Sequence, residues 1–157
     1  MSINTGAGTR FAIGPILTAD LPKDSTAALT QLKGLTYVQV GEAETIGDYG
    51  DEAADVSFTG LADGRVRHLK GAFDAGNTDI TVGLDAGDAG QVAMVTAQKN
   101  RSRYDYPIQI TYVDGYVDYF VGKVMSSRKT NIGNGDVLRR TFTIGINSEI
   151  LTVAPAP

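Results

Sequence analysis

The chain has 157 residues, 42% of them hydrophobic, and no cysteine. This length is typical of a single domain with a sizeable core, and the lack of cysteine excludes disulfide bonds and thiolate metal sites. The formal net charge of −4 argues against a protein that grips nucleic acid, because tight phosphate binding relies on clustered Lys and Arg. Neither an apolar run of the ~18 residues of a membrane helix nor a signal peptide is recognisable, so we expect a soluble protein made in the cytoplasm that does not bind membranes.

The charges are distributed unevenly along the chain. Residues 1–64 carry nine acids and three bases, a net charge of −6, whereas residues 65–157 carry nine acids and eleven bases, a net charge of +2. This polarity would allow the acidic surface of one copy to meet the basic surface of another, although an evenly mixed surface in the folded protein is the alternative.

Short runs of alternating apolar and polar residues predict a chain that is mostly antiparallel β-structure. Turns at Asp63-Gly64, at residues 74–77, at Asp114-Gly115 and at residues 133–135 separate the later runs. The predicted strands cover residues 35–40, 55–61, 65–73, 78–84, 106–113, 116–124 and 137–146.

The hairpin over residues 106–124 has the clearest pattern. We expect Asp114-Gly115 to form a two-residue turn with positive φ. The strand side chains then divide between two faces, because successive side chains of a strand point in opposite directions. The core face would hold Ile108, Ile110, Val117, Tyr119 and Val121, and the opposite face Gln109, Thr111 and Asp118.

One helix is predicted over residues 85–102. Asp85 is its expected N-cap, and Lys99 and Arg101 lie at the C-terminal end, where the helix dipole favours cations. A stripe of small side chains would pack on a sheet, formed by Ala89, Val92, Ala93 and Ala97.

These elements predict an antiparallel β-sandwich or barrel with one flanking α-helix. The chain would form a single domain, with an N-terminal arm at residues 1–10 and a short C-terminal tail at residues 152–157.

Residues 41–64 hold seven carboxylates and no cation. So long a charged connection within a compact β domain is usually functional or mobile. It offers neither a nucleophile paired with a base nor a metal-ligand spacing, so we interpret it as an assembly loop that stacks copies of the chain. The residues assigned to this role are Glu42, Glu44, Asp48, Tyr49, Asp51 and Glu52. Bases of the C-terminal half are candidates for the opposing surface, namely Arg101, Arg103, Arg128, Lys129, Arg139 and Arg140.

Few residues are candidates for catalysis or metal binding. His68 is the only histidine and lies in a predicted strand without a patterned partner, so we expect a structural or surface role. The glycine-containing run at residues 6–9 lacks the Gly-Lys-Ser/Thr ending of a phosphate loop, and the acids at residues 48–52 lack calcium-loop spacing. We therefore predict no enzymatic activity, no metal and no cofactor.

The order of the parts resembles the major tail tube proteins of long-tailed bacteriophages. A strand, an acidic glycine-containing loop, a hairpin, one helix and a tyrosine-rich hairpin follow one another over residues 35–146. The stretch most similar to the family is LKGAFDAGNTDITVGLDAGDAGQ at residues 69–91, with its strand, turn, strand and helix entry.

The resemblance implies hexameric rings that stack into a tube through which DNA passes as transiting cargo. It implies that residues 41–54 reach toward the adjacent ring, and that the channel wall includes Asp55, Gln109, Thr111 and Asp118. The implied partners are further copies of the chain and the tape measure, tail terminator and distal tail proteins. The protein would belong to the virion tail and be assembled in the host cytoplasm.

Two alternatives remain open. The inner tube of a contractile injection system has a similar fold and ring. A monomeric β-sandwich binding module would instead show a cluster of exposed aromatic side chains, which five tyrosines could supply, although the chain lacks tryptophan. These tyrosines are Tyr104, Tyr106, Tyr112, Tyr116 and Tyr119.

Overall fold

The computed structural model describes residues 3–155, which contain ten strands and two helices. Met1, Ser2, Ala156 and Pro157, the outer ends of the expected arm and tail, lie outside the described residues. The elements in chain order are β1 Arg10–Ile13, α1 Ser25–Lys33, β2 Val38–Gln39, β3 Ala43–Ile46, β4 Glu52–Thr59, β5 Val66–Asp74, β6 Asn77–Gly83, α2 Ala89–Lys99, β7 Tyr106–Thr111, β8 Val117–Thr130, β9 Arg139–Ile146 and β10 Leu151–Val153.

Eight strands form one antiparallel sheet in the order β2-β1-β7-β8-β9-β6-β3, with β10 also paired to β8. The sheet is not closed into a barrel. Strands β4 and β5 pair with each other in a separate two-stranded sheet. The predicted mainly β class is confirmed, and the architecture fits a sandwich-like fold.

The expectation of a single helix is wrong, because α1 precedes the sheet's second strand. The side chain of Asp24 caps α1 by accepting a hydrogen bond from the Thr26 N–H. Only Ala28 and Leu32 of this helix are buried, so its sequence carries too narrow an apolar stripe to be recognised.

Each face of the sheet packs against one helix. The larger core joins side chains from β1, β6, β7, β8 and β9 to Met94 and Ala97 of α2. A smaller core on the other face joins Leu32 of α1 to Tyr119 and Val121 of β8. The two cores share β8, which contributes alternate side chains to each.

The strand predicted at residues 35–40 is reduced to the two residues of β2. Leu35 and Tyr37 pack in the smaller core instead, and the Tyr37 hydroxyl donates a 2.8 Å hydrogen bond to the Leu32 carbonyl at the end of α1. Packing near α1 therefore replaces strand pairing in the first half of the predicted strand.

The connection between β7 and β8 covers residues 112–116, and the loop at its tip has three residues, Val113, Asp114 and Gly115, rather than the predicted two. The Tyr112 N–H bonds to the Tyr116 carbonyl across it, and Gly115 has a φ of 95°. One extra residue shifts the pairing, so Asp118 lies opposite Ile110 and Tyr119 opposite Gln109. The predicted faces of β8 are therefore wrong, because a shift of one residue exchanges every side chain between the two faces.

Helix α2 begins later than predicted, and its buried face differs. Asp88 is the N-cap, accepting the Gln91 N–H at 3.0 Å, whereas Asp85 lies in the preceding turn. Gly90, Gln91, Met94 and Ala97 are buried, and Val92 is 50% exposed. A Cβ atom on Gly90 would lie 2.2 Å from the Gln39 carbonyl oxygen, so close contact with β2 selects this face.

The contact at Gly90 provides a test of this packing. We expect Gly90→Ala to lower the free energy of unfolding by about 2 kcal/mol or more, because the backbone of β2 must move to accept the methyl group. The matched control is Gly135→Ala, where a Cβ atom meets nothing within 4 Å. Urea denaturation measures both variants, and equal stability of the two would contradict the packing described.

Candidate assembly surfaces

The acidic segment at residues 41–64 is not one loop, because it contains β3 as well as the strand predicted at residues 55–61, while its assembly role stays a prediction. It contains β3, whose residues Ala43, Thr45 and Ile46 pair with β6, a connection at residues 47–51, and the whole of β4. The Glu44 carboxylate forms an ion pair with the Arg139 guanidinium within the same chain. Asp48, Tyr49 and Asp51 occupy the connection, Glu52 begins β4, and Glu42 precedes β3 with a φ of 59°.

A buried carboxylate anchors the connection. Asp118 is 7% exposed, and its oxygens accept hydrogen bonds from the hydroxyls of Tyr49 at 2.6 Å, Tyr112 at 3.1 Å and Thr152 at 2.7 Å. The two tyrosine hydroxyls also contact each other. Three separate segments therefore converge on β8, and the start of the β4–β5 hairpin is fixed to the sheet and to β10.

The environment of this cluster disfavours ionisation of the Tyr112 hydroxyl. Burial, followed by the negative charge of Asp118, raises the pKa of Tyr112 above its ordinary value of 10.0. Burial and the neighbouring Tyr119 also raise the pKa of Tyr37.

The β4–β5 hairpin has two chemically different faces, because paired residues of its strands lie on the same side. One face presents Val56, Phe58 and Leu69, which are 48% to 59% exposed, with Arg67 paired to Phe58. The other carries Asp55, Ser57, His68 and Lys70, with His68 Nδ1 3.0 Å from both oxygens of Asp55. The lone histidine thus occupies an exposed polar face.

The apolar face of the hairpin is an exposed feature that the charge pattern obscured. A two-stranded hairpin is marginally stable alone in water, and contiguous exposed apolar surface is typical of protein interaction sites. The signal was present in the alternation of Val56 and Phe58 with polar residues, whereas a register shift puts Phe73 beside Ala53 on the other face. This signal was hidden because the acids around the strand suggested a loop.

Two adjoining clefts lie at the base of the hairpin and share Asp51 and Glu149. One, of about 720 Å³, is also lined by Asp48, Tyr49 and Asp118. The other, of about 680 Å³, is lined by Phe73, Asp74 and Ile146 among others. We refer to the two together as the acidic cleft. No group of three or more His, Asp or Glu side chains in residues 3–155 is placed to hold a metal ion.

Four of the predicted basic residues lie together where β8 and β9 pair, with Lys129 opposite Arg140, Arg128 opposite Thr141 and Arg139 opposite Thr130, whereas Arg101 and Arg103 follow α2. Arg139 is paired with Glu44, Arg103 lies over the Tyr104 ring at 4.7 Å, and Arg140 lies over the Phe142 ring at 6.0 Å. The exposed members without an ion pair in the described part of the chain are Arg101, Arg103, Arg128 and Lys129.

The four candidate channel residues are also separated. Asp55 lies on the hairpin, outside the main sheet, and Asp118 is buried on the face of Ile110. Gln109 is half-buried, donating a 3.0 Å hydrogen bond to the Tyr119 hydroxyl, and Thr111 is half-buried at the end of β7.

A different polar surface lies on the face of β6 and β9 that is turned away from the core. Its side chains bond to one another, with Thr143 Oγ1 donating to Asp79 at 2.7 Å and the hydroxyls of Thr81 and Thr141 3.4 Å apart. Sequence alternation indicated this face, because Ile80, Val82, Phe142 and Ile144 between these residues are fully buried.

Comparison with known proteins identifies the family to which the chain belongs. The profile of the lambda phage tail tube protein family matches residues 24–151. A search of the curated protein sequences finds no match. The chain belongs to the lambda phage tail tube protein family, which is a family of structural proteins and not of enzymes.

Solved structures with a similar fold are tube proteins of phages and related particles. The SPP1 tail tube has a TM-score of 0.64 at 14% identity, covering 98% of this chain and 80% of its own. The tail of an empty GTA particle has a TM-score of 0.63 at 12% identity, covering 97% and 100%. The PVC sheath/tube terminator of an extracellular contractile injection system has a TM-score of 0.68 at 8% identity, covering 98% and 99%.

The resemblance to tail tube proteins is thereby confirmed. As a member of this family the chain is a component of a virion tail, and self-assembly into a tube is supported by the assemblies to which it is similar. Within the described residues, neither helix has the length and apolar character to cross a bilayer.

The raised tyrosine pKa values predict a loss of stability in alkali. Below pH 10 both states keep Tyr112 and Tyr37 protonated, but as pH rises further the unfolded chain ionises them more readily, so the free energy of unfolding falls. Tyr112→Phe should flatten this decline, while losing about 1 kcal/mol at pH 7 with its hydrogen bond to Asp118. Unfolding by urea between pH 7 and 11 measures both effects, with the exposed Tyr116→Phe as control; an unchanged slope in Tyr112→Phe would contradict the assignment.

Proposed function

We propose that this chain forms hexameric rings that stack into a phage tail tube, which conducts DNA from the capsid to the host cell. The observation that carries the proposal is the β4–β5 hairpin, whose apolar face has no partner within the described chain. Membership of the tail tube family makes further copies of the chain the natural partner.

The hairpin is the element that reaches the neighbouring ring. It is attached to the sheet only at its base, and its strands of eight and nine residues extend roughly 25–30 Å at about 3.3 Å per residue. A contact of this reach, repeated around a ring, would bury Val56, Phe58 and Leu69. The stacking role therefore passes from the acidic residues to the hairpin that follows them.

The channel wall is formed by the polar face of β6 and β9. Asp79, Thr81, Thr141 and Thr143 are outside both cores. The charges on this face nearly cancel, because Arg128, opposite Thr141, balances Asp79, and Arg139 is paired with Glu44. DNA carries one negative charge per ~1.7 Å of axis, so a wall that is neutral to acidic lets it slide whereas a basic wall would hold it. DNA is thus cargo rather than ligand.

The chain acts as a single tail tube domain whose N-terminal arm and C-terminal tail contact neighbouring copies. Its other partners in the tail are the tape measure, tail terminator and distal tail proteins, and the tail is assembled in the host cytoplasm. The inner tube of a contractile injection system is the second candidate, favoured by the similarity to the PVC terminator fold.

A monomeric binding module is disfavoured by where the tyrosines lie. Tyr119 is 7% exposed, Tyr112 bonds to Asp118, and Tyr104 is covered by Arg103. These three side chains cannot form the open aromatic platform that such a module would use.

Removal of the hairpin tests the proposed stacking role. Ala53 and Phe73 are paired across the hairpin, so residues 54–72 can be replaced by Gly-Gly without stretching the chain. We expect the shortened protein to keep the stability of the main sheet, because β4 and β5 pair only with each other, but to form no tubes in negative-stain electron microscopy. A control with Asp63-Gly64 changed to Asn-Gly should assemble normally. Tubes of normal length without the hairpin would contradict its role.

A change of charge on the polar face tests the channel wall. Asp79→Lys should permit tube assembly but slow genome ejection, because six copies per ring would each add a phosphate contact. Ejection is followed by DNA release from phage carrying the variant, with Asp79→Asn as the neutral control. Equal ejection rates in Asp79→Lys and wild-type phage would show that this face does not line the channel.

A further inference from the structure

The hairpin base and the β8–β9 loop lie at opposite ends of the same strands. Strand β9 runs from Arg139, paired with Thr130 and Gly83, to Ile146, paired with Gly122. Its eight residues span about 23 Å. The loop at residues 131–138 therefore projects at one end, and the acidic cleft, which includes Ile146 and Glu149, opens at the other.

The acidic cleft combines an apolar floor with uncompensated acids. Phe73, 66% exposed, provides the apolar surface, Ile146 lines the cleft at 6% exposure, and Asp51 and Glu149 line both of its halves. Asp48 and Asp51 form no ion pair within residues 3–155. Phe73 pairs with Ala53 at the base of the hairpin, so its exposed side chain belongs both to the cleft and to the hairpin base.

The β8–β9 loop has the complementary composition. Ile132 is 74% exposed, Val137 64% and Leu138 45%. Residues 128–140 contain four bases and one acid, Asp136. Arg139 is neutralised by Glu44, which leaves Arg128 and Lys129 exposed beside the apolar loop.

The other acids near this end of the sheet are mostly engaged. Asp85 accepts the Gly87 N–H, and Asp88 accepts the N–H groups of Gly41 and Gln91, each at 3.0 Å. Glu42 is exposed and is the acid that remains. The loop therefore presents apolar side chains flanked by cations.

We propose that the β8–β9 loop of one copy docks in the acidic cleft of a second copy placed head to tail. Ile132 and Val137 would contact Phe73, with Arg128 and Lys129 facing Asp48 and Asp51. Because the two surfaces are different and lie at opposite ends, each copy offers one free surface after docking, and the contact propagates without closing. This inference rests on the proposed tube and names the surfaces that stack it.

Charge exchange tests the pairing. Arg128→Glu with Lys129→Glu, and separately Asp48→Lys with Asp51→Lys, should each reduce tube mass at least tenfold in pelleting and negative-stain microscopy at low salt. The four substitutions in one chain restore opposite charges across the contact and should restore tubes. Lys99→Glu with Arg101→Glu reverses two exposed bases at the C-terminal end of α2, outside the β8–β9 loop, and should leave tubes intact. Circular dichroism and urea unfolding establish that every variant is folded.

Cross-linking gives a second measurement that does not depend on charge. The natural chain has no cysteine, so Phe73→Cys with Val137→Cys introduces a single pair. Oxidation of tubes of this variant should give covalent ladders of subunits in denaturing gels, and neither single variant should give more than dimers.

The outcomes separate this inference from the tube itself. Tubes formed by both double variants, failure of the fourfold variant to reassemble, loss of tubes in the Lys99 and Arg101 control, or absence of covalent ladders would each overturn the docking. The tube proposal would survive all of these results, and would fail if the wild-type protein formed neither rings nor tubes.

Discussion

Strand β8 is the constraint on which the rest of the structure depends. It pairs with β7 and β10 along its first half and with β9 along its second, and its alternate side chains enter two separate cores. Its register is set by the three-residue loop at the tip of the connection after β7. That register turns Asp118 inward, where Tyr49 and Thr152 bind it. The orientation of the hairpin base and the position of β10 therefore follow from the length of a single turn.

Burial of one carboxylate among hydroxyl groups is a directional way to fix a segment. An apolar contact at Tyr49 would allow the connection to slide, whereas hydrogen bonds to a buried anion restrict both distance and angle. Asp118 accepts from donors on three segments, and loss of any one leaves the charge less well compensated in a poorly solvated site. The hairpin, which we propose faces other copies, is thus positioned by the interior of its own copy.

The sequence was most informative where pattern and packing coincide. Ile80, Val82, Phe142 and Ile144 alternate and are fully buried, and Asp63-Gly64 lies in the connection of a real hairpin.

Prediction failed where a long-range contact decides which face is buried or where a strand forms. Gly90 faces β2 because only glycine fits against the Gln39 carbonyl. The spacing of apolar residues within the helix gives no indication of this contact with β2. The acidic stretch is divided because β3 pairs with β6, and the high density of acids in the sequence gives no sign of this pairing. Candidate assembly residues were named from charge, whereas an exposed apolar face becomes visible only once the hairpin is known to lack a partner.

The hairpin that pairs only with itself also bears on when assembly begins. A free two-stranded element orders its backbone at an entropic cost that its own pairing barely offsets. Two free copies that meet must both bear this cost, whereas a copy that adds to a formed end meets a receiving surface already held in place. Initiation is then slow and elongation fast, which is the kinetic behaviour of nucleated polymers. In a cell full of newly made subunits, such a lag leaves the choice of starting point to whatever pre-formed platform first presents an ordered surface.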